Sequence, residues 1–463
     1  MDPDPNLVRS PIVGLDALED HPTHGGADSD PKERVRAAAP DGHLNWLFVD
    51  LNSYFASVEQ EVRPELRGRP LGVVPMLADT TVCIAASYEA KAFGVRTGTV
   101  VADAKRMCPE LVLVEARHEI YVDYHHRVVE AVESCLPVTA VLSIDEMACR
   151  LMGRERPLLA AMELGRKVKA AIRRKAGPTL SSSVGLATNR YLAKVASDME
   201  KPDGLVALPL DVLPDALGLL ALGDLPGIGA RTEKRLSEKG IQTVNQLLAL
   251  ECDQAGELWG SVWGERLWHW LRGEDFEMAE TEHLKSLSHQ HVLAPEMRTP
   301  DKAWAVAHKL LHKAAMRLRA GGLWASGIGL AVGFAGPKAD RGPLSTYGVP
   351  SKGWKAELKL MECQDNPTLI AALARLWASR PAGAQYDHPY FIGVHLKGLV
   401  PDRLHTLNLF DGTEDDQSRA RLLAVMDQLN NKYGMSTLAP ATMLTAYKSA
   451  PTRIAFHSIP ELF

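Results

Sequence analysis

Three acidic residues are the first candidates for chemistry. Asp50 directly follows the apolar run 46–49, which predicts a buried strand, and burying a charge without a partner is costly. Asp145 and Glu146 are adjacent at the polar centre of a predicted hairpin, where a solvated hairpin tip is the ordinary explanation. Together with Asp50 at the end of another strand, they could hold two Mg²⁺ ions for in-line phosphoryl transfer.

Four further side chains could bind a ligand, and each also has a structural explanation. Phe55 begins a predicted helix, where an aromatic ring could simply pack into the core. Tyr88 and Lys91 are three apart on one helical face, which equally describes an amphipathic helix with a solvated lysine. Lys194 stands four before Asp198, the spacing of a surface ion pair.

A glycine-rich turn is the next candidate. In LPGIGARTEKRL (225–236), Gly227 and Gly229 lead into a predicted helix. Backbone N–H groups at such a helix start can face a phosphate, although a plain glycine-rich connection between helices fits as well.

Composition limits the classes of protein. The chain has 463 residues, of which 46% are hydrophobic and 24% charged, as in a globular protein of several domains. No apolar run is long enough to span a membrane, and the N-terminus lacks a signal-peptide pattern, so a cytoplasmic location is expected. The six cysteines form no CxxC pair, which argues against a zinc site.

Charge is unevenly distributed. The net charge is −5, but residues 285–400 hold 15 Lys and Arg against 7 Asp and Glu, a local charge of +8. Residues 1–42 hold 4 basic and 9 acidic residues. A polyanion would meet the basic section as a local positive field.

Periodicity then divides the chain. Residues 1–42 lack sustained periodicity and are expected to be a disordered acidic tail. An α+β region with a mostly antiparallel sheet extends to about residue 208, and residues 209–280 are all-helical. The section from residue 285 to 400 shows a β-α-β-β-α-β order, typical of a ferredoxin-like sheet. Residues 401–463 form a mixed tail with one helix.

Five ordered motifs carry a resemblance that spans roughly residues 44–400. They are FVDLNSYFASVE, AASYEAKAFGVRTG, LSIDE, SSSVGLATNRYLAKVASDMEKPDGL and LPGIGARTEKRL. In this order they resemble the Y-family, translesion DNA polymerases, most of all the bacterial DNA polymerase IV and UmuC-like group. The resemblance implies a right-hand polymerase with a ferredoxin-like palm (43–61 and 119–208), small fingers (62–118), a helix-hairpin-helix thumb (209–280), a little finger (281–400) and a C-terminal tail (401–463).

The resemblance also implies roles for the candidates. Asp50, Asp145 and Glu146, with the Leu51 carbonyl, would bind two Mg²⁺ ions, and Asn52 stands where many relatives carry a second Asp. Nucleotide-binding roles would fall to Phe55 as a steric gate under the sugar, and to Tyr88, Lys91 and Lys194 on the triphosphate.

Contacts with DNA and protein partners are implied at further positions. Gly227 and Gly229 would bind DNA backbone in the thumb, and Lys285 and Ser286 in the little finger. The segment TLNLF resembles a sliding-clamp motif in which Thr406 replaces glutamine. Its pocket residues would be Leu407, Leu409 and Phe410, unless these hydrophobics fold back on the domain; the C-terminal IPELF is a weaker candidate.

The expected function is error-prone primer extension in DNA damage tolerance. The enzyme would be a monomer that uses primer-template DNA, dNTPs and a sliding clamp, away from membranes. A non-catalytic, polymerase-like scaffold of a mutagenesis complex is the first alternative, but such relatives lose the acids that this chain keeps. A helix-hairpin-helix glycosylase or nuclease is the second, and it would leave the motifs around Asp50 and Asp145 unexplained.

Overall fold

The computed structural model describes residues 7–11, 43–79, 81–276, 286–334, 353–383, 386–405, 414–434, 437–447 and 449. They belong to two compact units: an N-terminal unit with residues 43–276, and a C-terminal unit with residues 7–11 and 286–449. Strand β1 (Leu7–Pro11) therefore belongs to the C-terminal unit. Among the described residues, no helix is long and apolar enough to cross a membrane.

The N-terminal unit begins with α and β elements. In chain order these are β2 (Trp46–Leu51), α1 (Tyr54–Val62), β3 (Leu71–Val74), β4 (Ala85–Ala86), α2 (Tyr88–Ala92), α3 (Val101–Met107), β5 (Val112–Glu115), α4 (His118–Glu133), β6 (Ala140–Val141), β7 (Glu146–Arg150), α5 (Leu158–Lys175), β8 (Ser182–Ala187), α6 (Arg190–Met199) and β9 (Leu205–Leu208). Only helices follow in the described part of this unit: 3-10 turns, then α7 (Ala230–Glu238), α8 (Val244–Leu248), α9 (Cys252–Trp259) and α10 (Val262–Leu271).

Five of these strands form the central sheet, in the order β6-β7-β2-β8-β9. Strand β2 is its middle strand and pairs antiparallel with both β7 and β8, while β8 and β9 are parallel. All six β2 residues are buried, because helices cover both faces of the sheet. Leu47 and Val49 pack in the core with α4 and α5, whereas Trp46 and Phe48 pack with α6. Asp50 shares the parity of Phe48, so strand alternation directs its side chain to the α6 face.

A small three-stranded sheet, β4-β3-β5, lies between α1 and α4 in the chain. Its own core is formed by small apolar residues, and helices α2 and α3 contribute to it. Ser87 accepts a hydrogen bond from the Ala90 N–H, which caps the start of α2. The cap fixes the helix that carries Tyr88 and Lys91.

The C-terminal unit has the β-α-β-β-α-β order expected from the sequence. Its elements are β10 (Ser286–Val292), α11 (Pro300–Ala320), β11 (Leu323–Phe334), β12 (Trp354–Cys363), α12 (Asn366–Ala378), β13 (Pro389–Pro401) and a later helix α13 (Glu414–Tyr433). The strands form one antiparallel sheet in the order β1-β12-β11-β13-β10. Apolar residues of α11 and α12 fill the core on one face of this sheet.

Strand β1 departs from the disordered tail expected for residues 1–42. Leu7–Pro11 pair antiparallel with β12, from Leu7 opposite Leu358 to Pro11 opposite Trp354. Without β1, β12 would be an edge strand with unpaired main-chain N–H and C=O groups. Such main-chain groups can pair with any extended segment. Side-chain periodicity gives no sign of this pairing.

The C-terminal segment folds back on α11. Lys309 is buried and donates hydrogen bonds to the carbonyl oxygens of Ala446, Tyr447 and Ser449, at 3.3, 2.6 and 2.6 Å. Burial lowers the pKa of this lysine. The buried ammonium thus binds the carbonyl end of the 3-10 helix Ala441–Ala446.

Candidate active site

The three predicted acids lie at one edge of the central sheet. Asp50 at the end of β2 is directly opposite Glu146 at the start of β7. Asp145 occupies the bend between β6 and β7, and its carbonyl oxygen accepts a 2.9 Å hydrogen bond from Leu51 N. The Ser143 hydroxyl donates to Asp145 Oδ1 at 2.5 Å. Asp145 therefore lies in the bend and Glu146 in the strand, so strand alternation does not force their side chains to opposite faces.

Two lysines neutralise this edge. Lys194 Nζ is ion-paired with Asp50 and lies 2.8 Å from Glu146 Oε1 and 3.1 Å from Asp198 Oδ1. Lys201 Nζ lies 2.8 Å from Asp50 Oδ2 and 2.7 Å from Asp198 Oδ1. Lys194 is therefore neither a solvated surface residue nor limited to its pair with Asp198, because it bridges two of the acids.

Lys194 is brought to the acids by close packing of α6 on β8. A side chain at Gly185 of β8 would put its Cβ 2.0 Å from the Ala193 carbonyl oxygen and 2.4 Å from Ser197 N. Only glycine permits this approach. The neighbouring Lys194 consequently reaches the end of β2.

The pKa values reflect the crowding of charge. Burial, together with the nearby Asp50 and Glu146, raises the pKa of Asp145 to about 6, against the opposing effects of Ser143 and Lys194. Burial alone would lower the pKa of Lys194, but Asp50, Glu146 and Asp198 outweigh it and raise that pKa. The acids at this edge therefore stabilise a positive charge placed among them.

The residues fit Mg²⁺ by their chemistry. Within the described residues, no three acidic, histidine or cysteine side chains already converge on one metal position. The donors at the sheet edge are nonetheless all oxygens, as Mg²⁺ prefers, and the Lys194 ammonium shows that a cation is accommodated between Asp50 and Glu146.

Asn52 is engaged elsewhere, at the turn after β2. Its buried side-chain oxygen accepts hydrogen bonds from Asp203 N at 2.8 Å and from Ser181 Oγ at 3.2 Å. Its amide nitrogen donates to Ser183 Oγ at 3.1 Å. Asn52 thus ties the end of β2 to β8 and to the loop that follows Lys201, a task that an amide performs without adding charge.

Phe55 is buried on the first turn of α1, and its ring stacks on Tyr121 with centroids 4.5 Å apart. Tyr121 in turn donates its hydroxyl to Glu59 at 2.8 Å, and Arg117 forms an ion pair with the same carboxylate. Tyr54 is also buried and donates to the Tyr121 carbonyl oxygen at 2.6 Å. The stacking contact with Tyr121, which is itself held by hydrogen bonds, therefore fixes the orientation of the Phe55 ring.

Tyr88 and Lys91 lie together on α2, with the Lys91 ammonium 4.3 Å from the centre of the Tyr88 ring. Burial, and then the positive charge of Lys201, lower the pKa of Lys91, while Asp50 opposes them. Burial likewise raises the pKa of Tyr88. Both side chains thus belong to the electrostatic environment of Asp50 and Lys201.

The glycine-rich turn has the geometry of a helix entry. Gly227 has a φ of 88°, which favours glycine, and a Cβ there would lie 2.8 Å from the Trp263 ring. Gly229 is the N-cap of α7, with open space where a side chain would be. Tyr191 of α6 donates to the Pro226 carbonyl oxygen at 2.9 Å, so the turn is anchored to the helix that carries Lys194.

The remaining candidates are not among the described residues of the N-terminal unit. Ser286 begins β10 of the C-terminal unit, opposite Lys397 of β13. Lys285 and the proposed clamp residues lie outside the described residues; the latter are Leu407, Leu409 and Phe410.

Sequence reasoning missed Lys201. It stands seven residues after Lys194, two helical turns on, and this spacing was the available signal. Helix α6 ends at Met199, however, so spacing alone does not place Lys201 beside Asp50.

Comparisons with known proteins agree with this architecture. Family models match residues 49–198 (impB/mucB/samB family), 223–275 (DNA polymerase-iota, thumb domain) and 284–409 (impB/mucB/samB family C-terminal domain). DNA polymerase IV of Moorella thermoacetica is 32% identical over 405 residues, which cover 86% of this chain and 96% of that protein. DNA polymerase IV 2 of Mesorhizobium japonicum is 33% identical over 424 residues, 88% of this chain and 96% of that one.

Solved structures show the same fold. The Y-family DNA polymerase chimera Dbh-Dpo4(243-245)-Dbh aligns with a TM-score of 0.60 at 23% identity, over 77% of this chain and 99% of that chain. Family, fold class and enzyme class expected from the sequence are thereby confirmed. The chain belongs to the Y-family of DNA-directed DNA polymerases, in the group of bacterial DNA polymerase IV and UmuC-like proteins.

Proposed function

We propose that the chain performs translesion synthesis: it adds dNTPs to a primer 3′ end by two-metal phosphoryl transfer during DNA damage tolerance. The observation that carries the proposal is that Asp50, Asp145 and Glu146 lie at one sheet edge, where two lysines are ion-paired with Asp50 and one of them also with Glu146. A scaffold that only bound DNA would have no need of three acids there.

Asp50, Asp145 and Glu146 would hold two Mg²⁺ ions, with the Leu51 carbonyl as a further ligand. Bound Mg²⁺ supplies charge neutralisation for the attacking primer oxygen and the phosphates. The carboxylates would then no longer need Lys194 and Lys201. Both ammonium groups would turn to the triphosphate, where they stabilise the negative charge that develops on the leaving pyrophosphate.

The remaining pocket residues would select and hold the nucleotide. Phe55, held by Tyr121, would lie under the sugar and clash with a 2′-hydroxyl. Tyr88 would donate its hydroxyl to the triphosphate. Lys91 would add a point charge rather than the bidentate grip of an arginine.

DNA and protein contacts complete the proposal. The Gly227–Gly229 turn would bind template-primer backbone through main-chain N–H groups, and Lys285 and Ser286 would bind it in the C-terminal unit. Residues 406–410 would bind a sliding clamp. The enzyme would act as a monomer in the cytoplasm.

Primer extension tests the catalytic assignment. The double variant Asp145→Ala, Glu146→Ala should lose extension of an undamaged primer-template with Mg²⁺, because the metal site loses two of its ligands. Its DNA affinity should stay close to that of the unaltered chain, since neither residue lies in the thumb or the C-terminal unit. Unchanged extension would refute the site, and loss of DNA binding together with a lower melting temperature would indicate misfolding instead.

A further inference from the structure

Among the described residues, helices α11 and α12 cover one face of the C-terminal sheet and leave the other uncovered by helices. On β12, Ala356 and Leu358 are buried under α11 and α12, so Lys355, Glu357 and Lys359 alternate onto the opposite face. A row across this face follows from the strand register: Ser288 of β10, His395 of β13, Gly329 of β11 and Glu357 of β12. The next row places Ser286, Lys397, Gly327 and Lys359 side by side. Within these two rows the basic residues are His395, Lys397 and Lys359, and the one acid is Glu357.

Glu357 is held by two of the basic residues. Lys397 Nζ donates to Glu357 Oε1 at 2.6 Å, across the width of β11. His395 Nε2 lies 3.5 Å from the same oxygen, a long contact but within ion-pair range if the imidazole is protonated. His395, and then Lys397, hold the pKa of Glu357 at about 2 despite partial burial, so Glu357 is a carboxylate at neutral pH.

The middle strand makes this contact possible because it carries glycines. A Cβ at Gly329 would lie 1.9 Å from His395 Nε2, which means that the imidazole lies directly over the main chain of β11. Gly327 likewise leaves the strand bare between Lys397 and Lys359. A bare strand between basic side chains is a place where a sugar-phosphate backbone could come close.

We propose that Glu357 occupies the place of a DNA phosphate on this face, as a built-in competitor for Lys397 and His395 that weakens DNA binding. The inference rests on the proposed function, since it presumes that this face meets DNA. A DNA phosphate that approaches Lys397 must displace the Glu357 carboxylate, and the negative charge of that carboxylate repels the phosphate. The enzyme thereby holds DNA less tightly than its lysines allow, which favours release after short synthesis.

Glu357→Gln in the full chain tests the proposal by fluorescence anisotropy with a labelled primer-template duplex. Removing the competitor should tighten binding about fivefold at 50 mM KCl and steepen the slope of log K against log salt by about 0.9, the value for one further phosphate contact. With that change in slope, the gain in affinity of Glu357→Gln over the unaltered chain should be about 3.5-fold smaller at 200 mM KCl than at 50 mM KCl. Lys397→Gln should weaken binding, and in that background Glu357→Gln should gain less than about twofold.

Glu362→Gln is the matched control. It removes the same charge from the same strand, and Glu362 also pairs with a histidine, His405, at 2.6 Å. It stands beyond the register shift of β12, outside the two rows that contain His395 and Lys397, so this variant should gain much less affinity than Glu357→Gln. Equal or weaker binding by Glu357→Gln with an unchanged melting temperature would overturn the proposal, as would an equal gain from Glu362→Gln. Absence of DNA binding by the unaltered chain would instead overturn the proposed function.

Discussion

Replacing Gly185 by alanine tests whether the contact between α6 and β8 sets the position of Lys194. The added Cβ would lie 2.0 Å from the Ala193 carbonyl oxygen and 2.4 Å from Ser197 N, both main-chain atoms that cannot rotate away. Because such contacts do not fall below about 3 Å, the helix must move by about 1 Å. Lys194 follows Ala193 directly and would move with it.

Two magnitudes follow. Overpacking of this kind costs about 1–3 kcal/mol, and each kcal/mol lowers the melting temperature of a unit this size by about 2–4 °C. A misplacement of about 1 Å in a catalytic site can cost on the order of 100-fold in rate. Gly185→Ala should therefore slow single-turnover nucleotide addition by about 10- to 100-fold, with little change in DNA affinity.

Rapid-quench primer extension at saturating DNA measures the rate, and thermal unfolding measures the stability. Gly223→Ala is the matched control, because a Cβ there meets only Glu233 Oε2 at an ordinary 3.6 Å. It should behave like the unaltered enzyme. A Gly185→Ala variant with unaltered rate and melting temperature would show that α6 and β8 accommodate the added methyl group without moving Lys194. The explanation for the position of Lys194 would then be wrong.

Three further expectations concern single side chains. Phe55→Ala should incorporate ribonucleotides, because the ring fixed by Tyr121 is gone; continued exclusion in an rNTP extension assay would reject the gate. Asn52→Leu should lower the free energy of unfolding by about 1–3 kcal/mol, since it leaves buried partners unsatisfied, whereas Asn52→Asp keeps the acceptor and should cost less; equal losses would contradict this. Burial, and then Arg317 and Lys313, lower the pKa of His289 to about 4, below the ordinary 6.5, so its contribution to stability is present above pH 6.5 and is lost as the pH falls toward 4. His289→Gln should flatten that part of the pH-stability curve, and an unchanged curve would exclude His289 as its cause.

The sequence is informative where chemistry and local pattern coincide. The apolar run before Asp50 and the hairpin around Asp145 each predict a strand end with an acid, and strand pairing places both at one edge. The β-α-β-β-α-β order of the C-terminal unit follows from alternating periodicities in the same way. Ordered motifs then identify the family.

Features that depend on contacts between distant segments could not be predicted. Lys201 lies beside Asp50, and Asn52 binds the loop that follows it; neither residue type predicts these contacts. Glu357 looks like an ordinary strand acid until the register places it opposite Gly329, with His395 and Lys397 on the next strand. Such relations depend on which strands are neighbours, and side-chain periodicity carries no information about that.

The order of strands in the central sheet has a consequence for synthesis of the protein. Strand β2 leaves the ribosome first, but its two neighbours, β7 and β8, are translated only after α4 and α5 respectively. The pairings are non-local, so their loop-closure cost delays folding, and an apolar strand stays without partners meanwhile. A nascent chain that ends before residue 182 has Asp50, Asp145 and Glu146 but lacks strand β8 and helix α6, which complete the site. The candidate site is thus assembled late, and the unpaired β2 is exposed to aggregation while translation continues.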